Sequence, residues 1–288
     1  MGRDLAERWP EARELFERAD EILGHDLSRL CWEGPEEELT RTENAQPAIL
    51  LHSYAAWRLL PAAVRDSVVV GAGHSLGEFS AYLCAGALSF EDALRLVRRR
   101  GELMARSDEG TMAAVLGMDD ETISELCRED EGTVVAANFN SPGQVVISGE
   151  EEAVERVGRR AEEEGARRVL PLQVSGAFHS PLMEVAREGL AEALEAVDFG
   201  DPDFPVVANV SAEAVTSGEE ARRLLVEQLT SPVRWTEGVR SMREHEPDRW
   251  LEVGPGKVLT GLLRRIDRTQ DGRPAGDAGA IAELRSED

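Results

Sequence analysis

The sequence predicts an α/β protein in which a large domain, built on a mostly parallel sheet, carries a smaller inserted subdomain. Two observations favour this fold class. Short apolar runs alternate with segments of helical period along most of the chain. Between residues 110 and 178 the pattern changes to a closely spaced βαββαβ order. We therefore assign residues 1–109 and 179–288 to the large domain and residues 110–178 to the subdomain.

The large domain is expected to contain five helices and three strands. Pro47 lies near the predicted start of the second helix, and Ser89 is a plausible cap for the fourth. The final twenty residues, rich in Gly, Asp and Arg, predict a loosely ordered tail. The helices are predicted at residues 11–24, 46–60, 77–85, 90–106 and 181–197, and the strands at residues 68–71, 205–209 and 250–253.

The inserted subdomain is expected to be ferredoxin-like. Its four strands are read in "MAAVLGM", "GTVVAANF", "GQVVIS" and "ARRVLPLQV", and its two helices in "DETISELCRE" and "EEEAVERVGRRAEEEG". In chain order these segments give β, α, β, β, α and β, which is the order of a ferredoxin-like unit.

Composition excludes several classes of function. The formal net charge of −24 argues against a nucleic-acid partner, because a phosphate backbone needs a basic surface. No apolar run reaches the roughly 18 residues that span a bilayer, and the N-terminus lacks a signal-peptide pattern, so we expect a cytoplasmic protein without a membrane partner. The three cysteines, Cys31, Cys84 and Cys127, are widely spaced and predict buried free thiols rather than disulfides or a metal site.

Ser75 is the first candidate for chemistry. It lies in Gly-His-Ser-Leu-Gly, residues 73–77, where an apolar run gives way to a helical pattern. A serine in a G-x-S-x-G turn of an α/β-hydrolase-like domain stands exposed above the sheet, and the N–H of Leu76 is the obvious donor to an oxyanion. The pentapeptide alone leaves hydrolysis, acyl transfer and a chance Gly-Ser turn open.

A serine nucleophile needs a base, and His179 is the best placed of the five histidines. It precedes Ser180 and Pro181, which have the character of a helix N-terminus. The positive end of that helix would disfavour an imidazolium and keep the ring ready to accept a proton. The alternative is a histidine that only packs at the junction of the two domains.

Arg100 is the most informative position for the substrate. It falls on the apolar stripe of its predicted helix, whereas Arg98 and Arg99 face away from that stripe. A guanidinium directed inward needs an anion, either a structural carboxylate of the protein or a carboxylate of the substrate held in bidentate geometry.

Five ordered blocks of sequence resemble the malonyl-CoA:acyl-carrier-protein transacylases of fatty-acid synthesis and the acyltransferase domains of polyketide synthases. The blocks are "GHSLGEFSAYLCAGALSFEDALRLVRRRG", "NFNSPGQVVISG", "VSGAFHSPLM", "SPVRW" and "EVGPGKVLTGLLRRI". The resemblance implies that the chain takes a malonyl group from malonyl-CoA onto Ser75. It also implies that the chain passes this group to the phosphopantetheine thiol of acyl carrier protein, by a ping-pong route that needs no cofactor. We expect a monomer, although no pattern in the sequence determines the oligomeric state.

The resemblance also assigns roles to individual residues. His179 would act as general base and acid, oriented by the backbone carbonyl of Gln228. Arg100 matches the arginine that pairs with the malonyl carboxylate, and Phe178 before His179 is similar to malonyl-selecting members. Asn140 and Gln144 match positions near the active-site cleft.

One departure from the family pattern leads to a further expectation. Members of the family begin with a strand and a turn of the form F-P-G-Q-G-S-Q, whose glutamine supplies a second oxyanion N–H. This pattern is missing before Met1, so we expect that the natural chain starts upstream and that the sequence as given is weakly active.

Two rival functions stay open at this point. A serine hydrolase or thioesterase would rely on a late histidine such as His245 and an acid such as Asp203. A non-catalytic remnant would bind the carrier protein without ever forming an acyl-serine.

Overall fold

The structure is a computed structural model that describes residues 1–107, 109–174 and 176–287. The helices are α1 (Arg3–Arg8), α2 (Pro10–Leu23), α3 (Leu27–Glu33), α4 (Glu36–Thr40), α5 (Thr42–Leu59), α6 (Ala62–Asp66), α7 (Leu76–Cys84), α8 (Phe90–Ala105), α9 (Asp120–Glu129), α10 (Glu151–Glu163), α11 (Glu184–Glu195), α12 (Gly218–Glu227), α13 (Trp235–Arg243), α14 (Val258–Ile266) and α15 (Ala278–Ser286). The strands are β1 (Gly71–Ala72), β2 (Thr111–Leu116), β3 (Val134–Ser141), β4 (Gln144–Gly149), β5 (Arg168–Pro171), β6 (Val206–Val207), β7 (Ala214–Val215), β8 (Trp250–Glu252) and β9 (Gly272–Pro274). Short 3₁₀ turns lie at Pro181–Met183 and Gln228–Thr230.

The sheets of the large part of the chain are short and only partly parallel. Strand β1 pairs in parallel with β6, β6 pairs antiparallel with β7, and β8 pairs in parallel with β9. Of the strand expected at residues 68–71, only Gly71 is in a strand, and β1 ends at Ala72. Within the residues that the structure describes, β1 pairs with a neighbouring strand on one side only.

The β1-β6-β7 sheet and the β8-β9 sheet face the same apolar groove. Its cavity volume is about 420 Å³, and its lining includes Val70, Ala72, Trp235, Trp250 and Leu251. The groove therefore separates β1, which leads into the Ser75 turn, from β8.

The six elements expected in the inserted segment all form, in the expected order. Strands β2 to β5 make one antiparallel sheet in the spatial order β3-β4-β2-β5. Helices α9 and α10 cover one face of this sheet, where Val115, Ile123, Val145 and Val157 are fully buried. The opposite face packs against Phe178, which connects this sheet to the core of the large part.

Pro47 lies in the interior of α5 rather than near its start, contrary to the sequence prediction. Proline at this position cannot donate a hydrogen bond to the carbonyl of Glu43. That carbonyl instead accepts a hydrogen bond of 3.1 Å from Nη1 of Arg98 on α8. The arginine side chain thus compensates for the missing backbone bond, and the helix begins one turn earlier than predicted.

The expectation of a loosely ordered C-terminal tail was wrong. Strand β9 extends the β8 sheet, and α15 follows with Asp277 as its cap, whose side chain accepts the N–H of Ala280 at 2.9 Å. Ile281 and Leu284 of α15 are buried in the main core. Their spacing of three residues gives the helix an apolar face despite the polar composition of the segment.

The cysteines are free thiols, as predicted, with Cys31 and Cys127 buried and Cys84 half-buried. Within the described residues, the acidic, histidine and cysteine side chains form no group of three that could hold a metal ion. Across the same residues, no helix combines the length and apolar character needed to cross a membrane.

Candidate active site

Ser75 occupies a tight turn between β1 and α7 in a backbone conformation that non-glycine residues rarely adopt. Its φ is 49°. Gly73 is required there, because a Cβ on this residue would lie 1.9 Å from the backbone of Gly77. Asn209 spans the turn by accepting the N–H of Ser75 at 2.7 Å and donating to the carbonyl of Gly73 at 2.8 Å. The strained turn is thus fixed by a side chain that directly follows the β6 segment.

His179 is hydrogen bonded to the Ser75 hydroxyl. The distance from Nε2 to Ser75 Oγ is 2.8 Å, and Nδ1 lies 2.8 Å from the backbone oxygen of Gln228. Because a carbonyl oxygen only accepts, Nδ1 carries the ring hydrogen and Nε2 is free to accept the serine proton. This is the arrangement of a nucleophile, a base and an orienting group.

The imidazole of His179 is neutral. Burial, followed by the positive charge of Arg100, lowers its pKa to about 3. The sequence prediction attributed neutrality to a helix N-terminus, but the ring is followed by a three-residue 3₁₀ turn, with Ser180 as its cap. Burial beside a cation is therefore the main cause.

Arg100 lies beside the nucleophile and is almost completely buried, with 1% exposure. Its Nη1 donates to Gln46 Oε1 at 2.7 Å, and its Nη2 donates to Gln228 Oε1 at 3.0 Å and to Ser75 Oγ at 3.1 Å. Burial lowers the pKa of Arg100 to about 10, so the group stays charged at neutral pH. Throughout the described residues, its hydrogen-bond partners are neutral and it forms no salt bridge, so no carboxylate of the protein bonds directly to this guanidinium. The nearest effect of such a group is the charge of Glu78, which acts on Arg100 without a direct hydrogen bond.

Sequence reasoning missed two polar residues that complete the site, Glu78 and Asn209. Glu78 is fully buried, and its Oε2 accepts from Asn209 N–H at 3.0 Å and from Gln228 Nε2 at 2.7 Å. We refer to Glu78, Arg100, Asn209 and Gln228 as the buried polar cluster. The signal available in the sequence was an acid within an otherwise apolar helical segment and an asparagine at the end of a predicted strand.

Burial raises the pKa of Glu78 to about 7, although the hydrogen bonds from Asn209 and Gln228 and the charge of Arg100 act in the opposite direction. This carboxyl therefore titrates close to neutral pH.

The other predicted site residues, Leu76, Asn140 and Gln144, differ in whether they contact the turn that carries Ser75. Leu76 is the first residue of α7, where a backbone N–H has no intrahelical acceptor. Asn140 contacts the serine turn, since its Oδ1 lies 2.8 Å from Nε2 of His74. Gln144 instead accepts a hydrogen bond from Arg265, and its hydrogen bonds in the described structure do not reach the serine, the histidine or the arginine.

The histidine and acid of the hydrolase alternative do not meet the serine. His245 lies in the turn after α13, where its N–H donates to the carbonyl of Met242, and Asp203 is exposed. Neither residue hydrogen bonds to Ser75 in the part of the chain that the structure describes. The histidine at the serine is His179.

Comparisons with known proteins agree with this geometry. The family described as "Acyl transferase domain" matches residues 1–283. The malonyl CoA-acyl carrier protein transacylase of Bacillus subtilis is 47% identical over 277 residues, covering 93% of this chain and 86% of that protein. The protein of the same name from Escherichia coli strain K12 is 45% identical over 284 residues, covering 97% of this chain and 92% of that protein.

Solved structures give the same result. A malonyl-transacylase in complex with its type II polyketide synthase acyl-carrier protein superposes with a TM-score of 0.94 at 44% identity, covering 100% of this chain and 95% of that chain. An acyl carrier protein S-malonyltransferase from Vibrio cholerae has a TM-score of 0.94 at 43% identity, covering 98% of this chain and 94% of that chain. The fold, the site and these similarities show that the chain belongs to the acyl transferase domain family.

Proposed function

We propose that this chain transfers a malonyl group from malonyl-CoA to the phosphopantetheine thiol of acyl carrier protein, through a malonyl ester of Ser75. The observation that carries the proposal is the position of Arg100. Its guanidinium is buried, bonded to neutral groups and 3.1 Å from the nucleophilic oxygen. A cation at this point suits an acyl group with a free carboxylate, and the similar proteins are named for malonyl transfer.

The first half-reaction forms the acyl enzyme. His179 Nε2 takes the proton of Ser75 Oγ as the oxygen attacks the thioester carbonyl, and the N–H of Leu76 donates to the developing oxyanion. The C–S bond then breaks, and the proton on His179 passes to the leaving coenzyme A sulfur. The carbonyl of Gln228 holds the ring in the tautomer that this transfer needs and stabilises the imidazolium.

The second half-reaction reverses these roles. His179 takes the proton of the carrier protein thiol, the sulfur attacks the ester carbonyl, and Ser75 Oγ leaves with the proton returned from the imidazolium. The donor malonyl-CoA and the acceptor carrier protein use one site in turn, which is a ping-pong mechanism. The bonds that form and break involve only the malonyl carbonyl, Ser75, His179 and the two thiol groups, so the proposal includes no cofactor.

We assign supporting roles to three further residues. Phe178 forms the wall beside the base, where it packs against both the main core and the small sheet. Asn140 supports the serine turn through His74. Gln144, at the start of β4, would lie at the outer part of the substrate cleft.

We also propose the domain division expected from the sequence, with a ferredoxin-like subdomain at residues 110–178 inserted into an α/β-hydrolase-like domain. The order β2-α9-β3-β4-α10-β5 and the spatial order β3-β4-β2-β5 support the first part. The nucleophile turn between β1 and α7 supports the second. We further propose that the enzyme acts as a monomer in the cytoplasm, which sedimentation and cell fractionation would test.

The test of the proposed function is intact-mass measurement after brief exposure to malonyl-CoA. We expect a malonyl adduct that is lost when acyl carrier protein is added, while Ser75→Ala forms no adduct. Loss of the adduct at the same rate without carrier protein would indicate a hydrolase. Binding of carrier protein without any adduct would indicate a non-catalytic remnant.

A further inference from the structure

Glu78 is a buried carboxyl group that the transfer chemistry does not use. It lies on α7, one turn after the nucleophile, and has no exposed surface. Its Oε2 accepts two hydrogen bonds, whereas its Oε1 has no partner among the described residues. An acid buried this deeply, with one oxygen unsatisfied, is costly to keep in the ionised form and calls for a physical role.

The side chain of Gln228 connects Glu78 to Arg100. Its Nε2 donates to the carboxyl group at 2.7 Å, and its Oε1 accepts from the guanidinium at 3.0 Å. Only this orientation of the amide satisfies both neighbours, because an ionised carboxylate only accepts and a guanidinium only donates. The carboxyl group of Glu78 and the guanidinium of Arg100 are thus linked through the neutral side chain of Gln228. The backbone oxygen of Gln228 also orients His179.

The charges of the cluster balance when the acyl pocket is empty. Arg100 contributes one positive charge, Glu78 can contribute one negative charge, and the hydrogen-bond partners of Arg100 are neutral. A malonyl carboxylate on Arg100 would add a second negative charge beside side chains that are almost completely buried. A buried excess charge is strongly unfavourable, and uptake of a proton is the usual response.

Glu78 is the group best suited to accept that proton. Among the described residues, Arg100 on α8 and Tyr82 on its own helix interact with it electrostatically, and the imidazoles of His74 and His179 lie in the same site. Burial lowers the pKa of both imidazoles, which makes them poor acceptors of a proton near neutral pH. Burial, followed by the negative charge of Glu78, raises the pKa of Tyr82, so this phenol is already protonated. Arg100 is also protonated, since its pKa of about 10 lies well above neutral pH. The pKa of Glu78 is about 7, so its protonation state changes near the pH at which the enzyme works.

We propose that Glu78 is the counter-charge of the acyl pocket: it balances Arg100 in the empty enzyme and takes up a proton when a carboxylated acyl group binds to Arg100. This inference rests on the proposed malonyl transfer. Its consequence is that selection for malonyl over a neutral acyl group depends on pH. Above the pKa of Glu78, malonyl loading requires a proton from solution, whereas acetyl loading does not.

The test measures proton uptake and acyl selectivity in the wild-type chain. Loading of Ser75 from malonyl-CoA in weak buffer between pH 6 and 8 should take up a fraction of a proton that rises with pH. Loading from acetyl-CoA, which releases the same thiol, provides the baseline. The ratio of malonyl to acetyl kcat/KM should fall by up to about tenfold per pH unit above neutral pH, because one proton is linked to malonyl binding.

Two variants separate the charge of Glu78 from its hydrogen bonds. Glu78→Gln keeps an oxygen that can accept from Asn209 and Gln228 but cannot titrate, so its selectivity should be independent of pH. Glu78→Asp retains a titratable carboxyl group and should retain the proton uptake. Glu192→Gln, an exposed change on α11, is the matched control and should behave as the wild type.

The outcomes distinguish this inference from the proposed function. Absence of a malonyl adduct on Ser75 would overturn the function itself. A malonyl adduct with no more proton uptake than the acetyl adduct, or equal uptake in Glu78→Gln and wild type, would overturn only the role of Glu78. A wild-type ratio of malonyl to acetyl kcat/KM that is constant from pH 6 to 8 would also overturn the role of Glu78, and this measurement needs no variant.

Discussion

Two regions of the molecule are held together by different interactions. We call β2 to β5 with α9 and α10 the sheet unit, and β1, the Ser75 turn, β6 and the buried polar cluster the serine region. In the sheet unit, strands of four to eight residues form antiparallel ladders, with two register shifts between β3 and β4, and an apolar core lies under α9 and α10. Some of its ion pairs, such as Arg160–Glu129, are on the surface. In the serine region, β1 and β6 have two residues each, and the buried polar cluster supplies the hydrogen bonds that fix the chain.

The difference predicts which region contributes mainly to the stability of the fold and which contributes mainly to activity. Regular backbone pairing needs no particular polar side chain, so the sheet unit tolerates changes that preserve its apolar pattern. A buried network of side chains is fixed only when each member has its partner, and loss of one member leaves the others unsatisfied. Changes in the serine region should therefore affect activity much more than changes of equal size in the sheet unit.

The largest effect is expected from His179→Ala. Loss of the general base should slow acylation of Ser75 by about 10²- to 10⁴-fold, as measured by the rate of adduct formation in intact-mass experiments. His245→Ala is the control and should acylate at the wild-type rate. The opposite result for the two histidines would restore the hydrolase assignment.

Arg100→Ala should give the next largest effect, and a selective one. Malonyl transfer should fall by about 10- to 100-fold, because a charge-assisted hydrogen bond to the substrate carboxylate contributes roughly 1.5–3 kcal/mol. Acetyl transfer should fall much less, since a neutral acyl group has no such partner and is affected only through the donors that Gln46, Ser75 and Gln228 lose. Steady-state kinetics with both acyl-CoA substrates measure the difference. Equal losses would show that Arg100 acts on the fold or on Ser75 rather than on specificity.

Asn140→Ala tests the contact through which the sheet unit reaches the serine turn. Loss of its hydrogen bond to His74 should slow acylation by about fivefold, in line with roughly 1 kcal/mol for one neutral hydrogen bond. Gln144→Ala, on the adjacent strand, should change the rate less than this because Gln144 bonds to Arg265 instead. A decrease of more than a hundredfold in the acylation rate of Asn140→Ala would show that the sheet unit and the serine region depend on each other for activity.

The smallest effect on activity is expected from Val145→Ala. Val145 in β4 and Val206 in β6 are both fully buried valines, so their alanine variants form a matched pair. Each should lower the free energy of unfolding by about 1.5–3 kcal/mol, as measured by urea denaturation. Only Val206→Ala should also lower kcat, because β6 leads to Asn209. Equal loss of kcat in both variants would contradict the separation of stability from chemistry.

The sequence predicted the sheet unit more accurately than the large part of the chain. Alternating apolar residues and helical periods act over short distances, so α9, α10 and their four strands could be located from local pattern. The two-residue strands of the large part depend on contacts between distant segments, such as the pairing of Gly71 with Val206. Pro47 was placed at a helix start because the compensating bond from Arg98 is a tertiary contact.

The same distinction applies to the site. Ser75, His179 and Arg100 were found because a tight turn, a helix start and an apolar stripe are visible in the sequence. Glu78 and Asn209 were missed because their importance arises from contacts across more than 130 positions of the chain. The resemblance to a known family supplied the backbone carbonyl of Gln228, which side-chain chemistry alone does not indicate.

The two hydrogen bonds of Asn209 to the serine turn link formation of the nucleophile to folding of the sheet. The asparagine reaches Ser75 and Gly73 only after β6 has paired with β1. A chain in which helices have formed but these strands have not met would contain Ser75 without its reactive geometry. We therefore expect the recovery of acyl-enzyme formation during refolding to follow the pairing of the two strands, and a partly folded chain to leave acyl-CoA intact.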